Sequence, residues 1–280
     1  MIRTESSRSS DYRLKGDMCG IAGYSFGNAS RVDRTLAAQA LLAGIAERGA
    51  DAVGYAYRTD GPLVVHKQQT GASALLDDVT FPGTTGQALI HVRVYTKGHP
   101  TIAANNHPVR HGRVTGIHNG IIANDEELLA RHGIARDHPD MTVDTEAIFA
   151  LVDAGGTSPE LLEQLVGTMA AAWIDERNPD SLYVARGVGR PLWLARGRHE
   201  VVFASTRAAL EVVERTLQTT FRKTEVEEGR LLTVVDGALV DERRWSPDRS
   251  YREDRVLPAV RAPNEGRFCL ERLAALVTPG

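Results

Sequence analysis

The sequence is poor in cysteine, in long apolar runs and in charge of one sign, and each scarcity argues against a class of protein. Its 280 residues include two cysteines, Cys19 and Cys269, too few for a disulfide framework. No apolar run approaches the ~18 residues of a membrane-spanning helix. The net charge of −3, with both signs interspersed, leaves no basic stripe for a nucleic acid. We therefore expect a cytoplasmic protein without a nucleic-acid or membrane partner.

Metal-ligand spacing is also missing from the sequence. Seven of the nine histidines lie between His91 and His138. None is placed at the close spacing of a zinc-binding helix or of a Cys–His zinc motif. We therefore expect no metal and no cofactor.

The sequence does contain two groups of short strand patterns, each with helical patterns beside it. One group lies before residue 123, and the other begins at residue 170. Two sheets that each carry helices on one side amount to an α+β fold of four layers, an αββα sandwich.

The sequence predicts three parts. Residues 1–18 are polar and lack the apolar centre of a secretory signal, so we expect either a removed propeptide or an untranslated stretch with Met18 as the true start. Residues 19–245 hold the predicted domain, and residues 246–280 form a charged tail. A helix predicted over 267–277 gives this tail an apolar stripe, which packs either on the chain's own core or on a partner. The stripe consists of Phe268, Leu270, Leu273 and Leu276.

The segment Met18-Cys19-Gly20-Ile21 carries the first candidate catalytic group. If the chain began at Cys19, its thiol and its free α-amine would belong to one residue. Such an amine has a pKa of about 7.7–8.0 and can act as the base beside the thiol. That arrangement is the N-terminal variant of the catalytic triad. The alternative is a small buried cysteine without a chemical role.

Two arginines follow predicted elements at informative positions. Arg93 ends an apolar strand, where a guanidinium needs an anion, either the carboxylate of a free amino acid or a structural aspartate. Arg48 follows a predicted helix and either complements the helix dipole or, with Asp51, supports the strand that begins at Cys19.

Asn119-Gly120 and Asp144 each allow a structural and a functional interpretation. Asn-Gly between apolar runs predicts a hairpin turn. An amide side chain and a backbone N–H exposed together at that turn would also form an oxyanion hole. Asp144 precedes a predicted helix and either caps it or offers a carboxylate to a substrate ammonium.

Several of these residues belong to motifs that occur in a recognisable order. The motifs are Met18-Cys19-Gly20-Ile21, Arg48-Gly49-x-Asp51, His91-x-Arg93, Asn105-Asn106-His107-Pro108, His118-Asn119-Gly120 and Asp144-Thr145-Glu146. Together they resemble the class II glutamine amidotransferases, which are N-terminal nucleophile hydrolases. The resemblance is greatest to the glutaminase domain of the glucosamine-6-phosphate synthases, and it covers about residues 19–245. It implies the αββα sandwich of that family.

The resemblance also implies a role for each candidate residue. The thiol would attack the side-chain amide carbon of glutamine, the α-amine would pass a proton to the departing ammonia, and water would cleave the cysteinyl thioester. The implied residues are Cys19, Asn119 and Gly120 in catalysis, Arg93, Asp144, His107 and Thr96 in substrate binding, and Arg48 and Asp51 in support.

The chain departs from those synthases on the loop that would close over glutamine. Val94 stands where they usually have an aromatic residue, and Lys97 where they have histidine. We also expect none of their sugar-isomerase domains, since the residues after Trp245 are too few for a domain of that size. We therefore expect a glutaminase that passes ammonia to a separate synthase subunit. The alternatives are a stand-alone N-terminal-cysteine amidase for another γ-glutamyl or amide substrate, and an inactive scaffold. Homo-oligomer formation is left open.

Overall fold

Two antiparallel β-sheets form the centre of the protein. The structure is a computed structural model that describes residues 19–59, 61–253, 258 and 260–277. The predicted N-terminal extension, residues 1–18, lies outside these residues. The described strands are β1 (Gly20–Phe26), β2 (Ala52–Arg58), β3 (Val64–Gln68), β4 (Gln87–Arg93), β5 (Val109–His111), β6 (Val114–Ile122), β7 (Gly167–Asp175), β8 (Ser181–Arg186), β9 (Trp193–Arg196), β10 (Glu200–Ala204), β11 (Arg222–Glu225), β12 (Arg230–Val235) and β13 (Ala238–Arg244). The described α-helices are α1 (Arg34–Ile45), α2 (Asp125–His132), α3 (Glu146–Gly155), α4 (Pro159–Leu162), α5 (Arg207–Leu217) and α6 (Pro263–Val277).

The order of the strands places the candidate residues in the two sheets. The first sheet runs β11-β9-β10-β1-β4-β2-β3, and the second runs β13-β12-β8-β7-β6-β5. β1 is the central strand of the first sheet and pairs with β10 and β4. Cys19 directly precedes β1, while Arg93 ends the neighbouring β4. In the second sheet, β6 carries Asn119 and Gly120 and pairs with β5 and β7.

Apolar side chains form one core between the two sheets and a further core on the outer face of each sheet. Residues of both sheets, including Ile21, Leu89, Ile117 and Ala172, are buried together between the sheets, because alternate strand residues point to one face. α1, α5 and α6 cover the outer face of the first sheet, and α2, α3 and α4 cover the second. The predicted four-layer αββα sandwich is thereby confirmed.

The ends of the helices follow their sequences. The Asp33 carboxylate accepts a hydrogen bond from the Leu36 backbone N–H at 2.9 Å and so caps α1. Ser158 caps α4 in the same way, with Pro159 at the first helical position. Among the helices of the described residues, none is long and apolar enough to cross a membrane.

The tail helix packs on the chain's own core. α6 begins at Pro263, earlier than the predicted residue 267, because proline is well suited to a first helical turn. Cys269 and Leu273 are its buried apolar side chains, and they join the core around α1. The other three stripe residues are exposed, so the predicted stripe is not the packed face. They are Phe268, Leu270 and Leu276.

Candidate active site

Cys19 lies beside the backbone that follows β4. Its side chain is partly exposed, and the thiol donates a hydrogen bond to the Val94 carbonyl, with Sγ and O 3.2 Å apart. The Val94 N–H in turn points at Sγ from 3.4 Å. Arg48 Nε donates to the Cys19 carbonyl at 3.1 Å, and the Asp51 carboxylate accepts from the Tyr95 N–H at 3.0 Å. The Arg48–Asp51 segment therefore contacts both Cys19 and the loop after β4.

The surroundings of Cys19 act on its ionisation in opposite directions. Burial raises the pKa of the Cys19 thiol, and this effect outweighs the others. The hydrogen bond with Val94 and the charges of Arg93, Arg190 and Arg48 lower the pKa. Because the thiolate is the reactive form, a thiol with a raised pKa needs a base that removes its proton.

Asn119 and Gly120 lie inside a strand and form no turn. Both belong to β6, in which Asn119 pairs with Ala170 and Gly120 with Met169 of β7. The expectation of an exposed Asn-Gly turn was therefore wrong, because pairing with a distant strand outweighs the local turn preference. Gly120 has a φ of +147°, and a Cβ at this position would lie 1.9 Å from the Thr168 carbonyl oxygen. The backbone at this position therefore requires glycine.

The Asn119 side chain is the most informative polar group in the core. It is fully buried, and neither its Oδ1 nor its Nδ2 has a hydrogen-bond partner among the described residues. A buried amide without partners costs about 1–3 kcal/mol per unpaired group. Such a group has the donor that an oxyanion would need.

One hydrogen bond joins the two sheets at this end of the sandwich. The His91 ring, on β4, contacts the His118 carbonyl on β6 through Nε2 at 3.1 Å. His91 lies two residues before Arg93, and His118 directly precedes Asn119. This contact therefore holds the strand that carries Arg93 against the strand that carries Asn119.

Arg93 is buried and surrounded by neutral acceptors. Its Nη1 donates to the Asn106 side-chain oxygen at 2.5 Å, and its Nη2 donates to the carbonyls of Lys97 and Gly98 at 2.9 and 2.5 Å. The structural alternative, a direct pair with aspartate, is not the contact that these distances show. Asp144 acts on Arg93 only through its charge. A buried guanidinium held by neutral oxygens can still accept an anion.

Asp144 points towards β6 and does not cap α3. Its Oδ2 accepts a hydrogen bond from the Ile122 backbone N–H at 2.7 Å, while Thr145 occupies the N-cap position. The helix-cap alternative was therefore wrong. Burial raises the pKa of the Asp144 carboxyl to about 6; the Ile122 N–H opposes this shift, and the nearby Asp125 adds to it.

His107 belongs to a buried network around Thr145. The Thr145 hydroxyl lies 3.0 Å from His107 Nε2 and 2.9 Å from His118 Nδ1. The His107 ring also stacks on His91, with ring centres 4.0 Å apart. Burial lowers the pKa of all three histidines, to about 3 for His91 and His118, so the network is neutral at pH 7. Thr96, by contrast, is exposed on the loop after β4.

Ion pairs that the sequence analysis missed fix the loop after β4. Lys97 Nζ lies 2.6 Å from an Asp125 carboxylate oxygen and 3.4 Å from Glu126. Arg136 contacts the same two acids at 3.1 and 2.8 Å and reaches Glu146 at 2.8 Å. The position of Lys97 was noted as a departure, but its partners lie far along the chain and no sequence spacing indicates them.

Arg190 also lies at the site, and the sequence analysis gave it no role. It is 1% exposed, and its charge acts on Cys19, Arg48 and His118. The available signal was the segment Gly189-Arg190-Pro191-Leu192, which also resembles the amidotransferases. Within the described part of the chain, no group of three His, Cys, Asp or Glu side chains is placed to hold a metal ion.

Known proteins match a large part of this chain. A family model described as "Glutamine amidotransferase domain" matches residues 91–212. The glutamine–fructose-6-phosphate aminotransferase of Caulobacter vibrioides is 35% identical over 205 residues, which cover 69% of this chain and 32% of that protein. The corresponding enzyme of Listeria monocytogenes is 31% identical over 211 residues, again 69% of this chain and 32% of that protein. The chain thus spans about a third of the length of these relatives.

Solved structures share the fold. The glutamine phosphoribosylpyrophosphate amidotransferase of B. subtilis, in complex with ADP and GMP, superposes with a TM-score of 0.65 at 24% identity. The match covers 82% of this chain and 50% of that one. A structure described as the allosteric regulatory enzyme of purine biosynthesis gives a TM-score of 0.63 at 23% identity, with the same coverage. At these identities the likeness is one of fold.

Proposed function

The chain carries a class II glutamine amidotransferase domain, and from that premise we propose that it hydrolyses the side-chain amide of glutamine to glutamate and ammonia. We assign this activity to residues 19–245. The observation that carries the proposal is the Asn119 amide next to Gly120, which is buried and has no partner in the described part of the chain. It lies on the strand that the His91–His118 contact holds against β4. An amide donor that has no partner among the described residues is available to the oxyanion of a tetrahedral intermediate.

In the proposed mechanism, Cys19 supplies both the nucleophile and the base. The α-amine of an N-terminal Cys19 takes the thiol proton as sulfur bonds to the amide carbon of glutamine. The negative charge on the amide oxygen is held by the Asn119 side chain and the Gly120 N–H. The carbon–nitrogen bond then breaks, and the amine returns the proton to the departing ammonia. Water attacks the thioester and gives a proton to the amine, the carbon–sulfur bond breaks, the amine returns this proton to the sulfur, and glutamate leaves.

Arg93 and Asp144 have the charges that the amino-acid end of glutamine requires. The guanidinium would bind the α-carboxylate, and the carboxylate would bind the α-ammonium. Arg93 donates at present to the carbonyls of Lys97 and Gly98. Substrate binding would therefore rearrange the loop after β4, on which Val94 also contacts the Cys19 thiol. His107 would act through Thr145, and Thr96 would reach the substrate only when this loop closes.

We propose further that the ammonia passes to a separate synthase subunit. Ammonia released into water at pH 7 is mostly protonated and no longer nucleophilic, so transfer requires an acceptor site close to Cys19. The alternative is a stand-alone amidase. The contacts of Lys97 with Asp125 and Glu126 favour this alternative, since they hold the Lys97 side chain of this loop within the chain itself.

Glutamate release from glutamine tests the proposal. A chain that begins at Cys19 should release glutamate and should be labelled at Cys19 by an electrophilic glutamine analogue. A chain that retains residues 1–18 should do neither, because it lacks the free α-amine at Cys19. Equal activity of the two forms would contradict the mechanism. A severalfold rise in turnover with a candidate synthase and its acceptor would support transfer, whereas full turnover alone would favour the amidase.

A further inference from the structure

The C-terminal tail reaches the candidate active site through one carboxylate. Glu253 Oε1 accepts a hydrogen bond from the Thr168 hydroxyl at 3.2 Å and forms an ion pair with Arg190 Nη2. The Arg190 side chain is 1% exposed and that of Glu253 is 15% exposed, so water screens this pair little. Residue 253 lies outside the part of the sequence that resembles the family, and no role was predicted for it.

The first partner of Glu253 holds the strand that carries Asn119 and Gly120. The Thr168 hydroxyl accepts a hydrogen bond from the Ile121 backbone N–H at 3.2 Å. The Thr168 carbonyl lies 3.2 Å from His118 Nε2. Thr168 therefore contacts β6 on both sides of the two candidate oxyanion donors.

The second partner acts on the nucleophile through its charge. Arg190, Arg93 and Arg48 are the charged groups that lower the pKa of the Cys19 thiol, against the larger effect of burial. The carboxylate of Glu253 lies against Arg190 and reduces the positive field that this guanidinium exerts on the thiol.

We propose that Glu253 is a positioning residue of this active site, which fixes Thr168 beside Asn119 and Gly120 and neutralises Arg190, a buried cation whose charge reaches Cys19. The part of this proposal that concerns glutamine turnover rests on the proposed function; the part that concerns the thiol does not. A tail residue thereby takes part in setting both the geometry of the oxyanion donors and the charge around the nucleophile.

Glu253→Gln removes the negative charge and keeps an oxygen that can accept from Thr168. The matched control is Glu265→Gln, because Glu265 also anchors the tail, through the Ser73 N–H at 2.8 Å and the Ser73 hydroxyl at 3.0 Å, outside the contacts described for the site. Glu253→Asp keeps the charge and serves as the conservative variant. Thermal melting of every variant identifies effects that come from lost stability alone.

The first measurement is the rate of Cys19 alkylation by iodoacetamide as a function of pH, with peptide mass spectrometry separating Cys19 from Cys269. For Glu253→Gln we expect the midpoint of the profile to fall by about 0.5–1 pH unit, since Arg190 is no longer neutralised. Glu253→Asp and Glu265→Gln should keep the wild-type midpoint. Identical profiles for all four proteins would overturn the proposal and leave Glu253 a structural anchor.

The second measurement is glutamine hydrolysis by chains that begin at Cys19. Glu253→Ala, which also releases Thr168, should lower kcat about 10-fold with less change in KM, because the oxyanion donors lose their alignment. Unchanged kcat in Glu253→Ala would contradict the positioning of Thr168. A wild-type protein without glutaminase activity would overturn the proposed function, but the alkylation profiles would still test the effect of Glu253 on Cys19.

Discussion

The space between the two sheets is filled in two contrasting ways. At the end away from Asn119 it holds mainly apolar contacts, such as those of Leu89 and Ile117, although Gln87 and Thr115 are buried there too. Burial of each large apolar side chain stabilises the fold by about 1.5–3 kcal/mol. Towards the C-terminal ends of β4 and β6 it holds buried polar groups, among them His91 and Asn119. The Asn119 amide has no partner among the described residues and costs stability. Because the unpartnered Asn119 amide lowers the stability of the fold, the contrast indicates that the polar end serves the reaction.

The largest effect should come from the nucleophile. Cys19→Ala should lower glutaminase turnover by on the order of 10³-fold or more, because no other group can form the thioester. Its melting temperature should stay close to that of the wild type. The matched control is Cys269→Ala in the apolar core around α1, where burial raises the pKa of the thiol to about 12 and makes it unreactive. A glutaminase that survives Cys19→Ala would remove Cys19 from the mechanism.

The sharpest comparison uses two residues of β6. Asn119→Ala should lower kcat by on the order of 10²–10³-fold, the loss expected for one oxyanion donor. The free energy of unfolding should not fall, since the removed amide makes no hydrogen bond to the described residues and costs stability where it lies. A normal kcat in this variant would exclude Asn119 from the oxyanion hole.

Ile117→Ala is the counterpart at the apolar end. Ile117 lies two residues before Asn119, so both side chains point to the same face of the strand. This substitution should lower the free energy of unfolding by about 2–5 kcal/mol, while the folded fraction keeps its kcat. Chemical denaturation measures the free energy of unfolding of Asn119→Ala and Ile117→Ala, and initial rates measure the kcat of each variant. Similar stability losses in the two variants would contradict the division between an apolar and a polar end.

A smaller effect is expected at the amino-acid end of the substrate. Arg93→Lys replaces a planar fork by a single ammonium, which loses one charge-assisted hydrogen bond worth about 1.5–3 kcal/mol. KM for glutamine should therefore rise about 10- to 100-fold, with a smaller change in kcat, because the contact is remote from the reacting amide. Steady-state kinetics over a range of glutamine concentrations measures both constants. An unchanged KM would assign Arg93 a structural role in holding the loop after β4.

The sequence predicted the apolar end of the molecule better than the polar end. Alternating apolar residues mark the strands, and their burial between covered sheets follows from that pattern. The outcomes at Asn119 and Asp144 depended on contacts between distant parts of the chain. Pairing with Ala170 keeps Asn119 in a strand in spite of its turn preference, and the Ile122 N–H draws the Asp144 carboxylate away from its helix. No local pattern contains either contact.

The missed residues have the same explanation. Arg190 and Glu253 are 63 positions apart in the chain, and Lys97 is 28 positions from Asp125. Spacing along the sequence cannot indicate which charges pair after folding. The motifs identified which residues to examine, but only the packed structure shows that the tail and the loop after β4 both reach them.

The smallest expected effect is a pH dependence that comes from Asp144. Burial raises the pKa of its carboxyl to about 6, whereas the unfolded chain has a value near 4. An ammonium needs the ionised carboxylate, so KM for glutamine should rise about 10-fold between pH 7 and pH 5. Asp125 and Lys97 are the charged groups that act on this carboxyl, with opposite signs. In Asp144→Asn, KM should be high and independent of pH over the same range.

As the pH falls, the contribution of Asp144 to folding stability should rise, whereas glutamine binding should weaken. Because the folded pKa of Asp144 lies above the unfolded value, its contribution to stability is fully present below about pH 4 and is lost as the pH rises through about 6. The difference in unfolding free energy between the wild type and Asp144→Asn should therefore shift in favour of the wild type as the pH falls from 7 to 5. Glutamine affinity falls over that same interval. If this stability trend is found but KM does not change between pH 5 and pH 7, Asp144 is a buried acid without a role in binding the substrate ammonium.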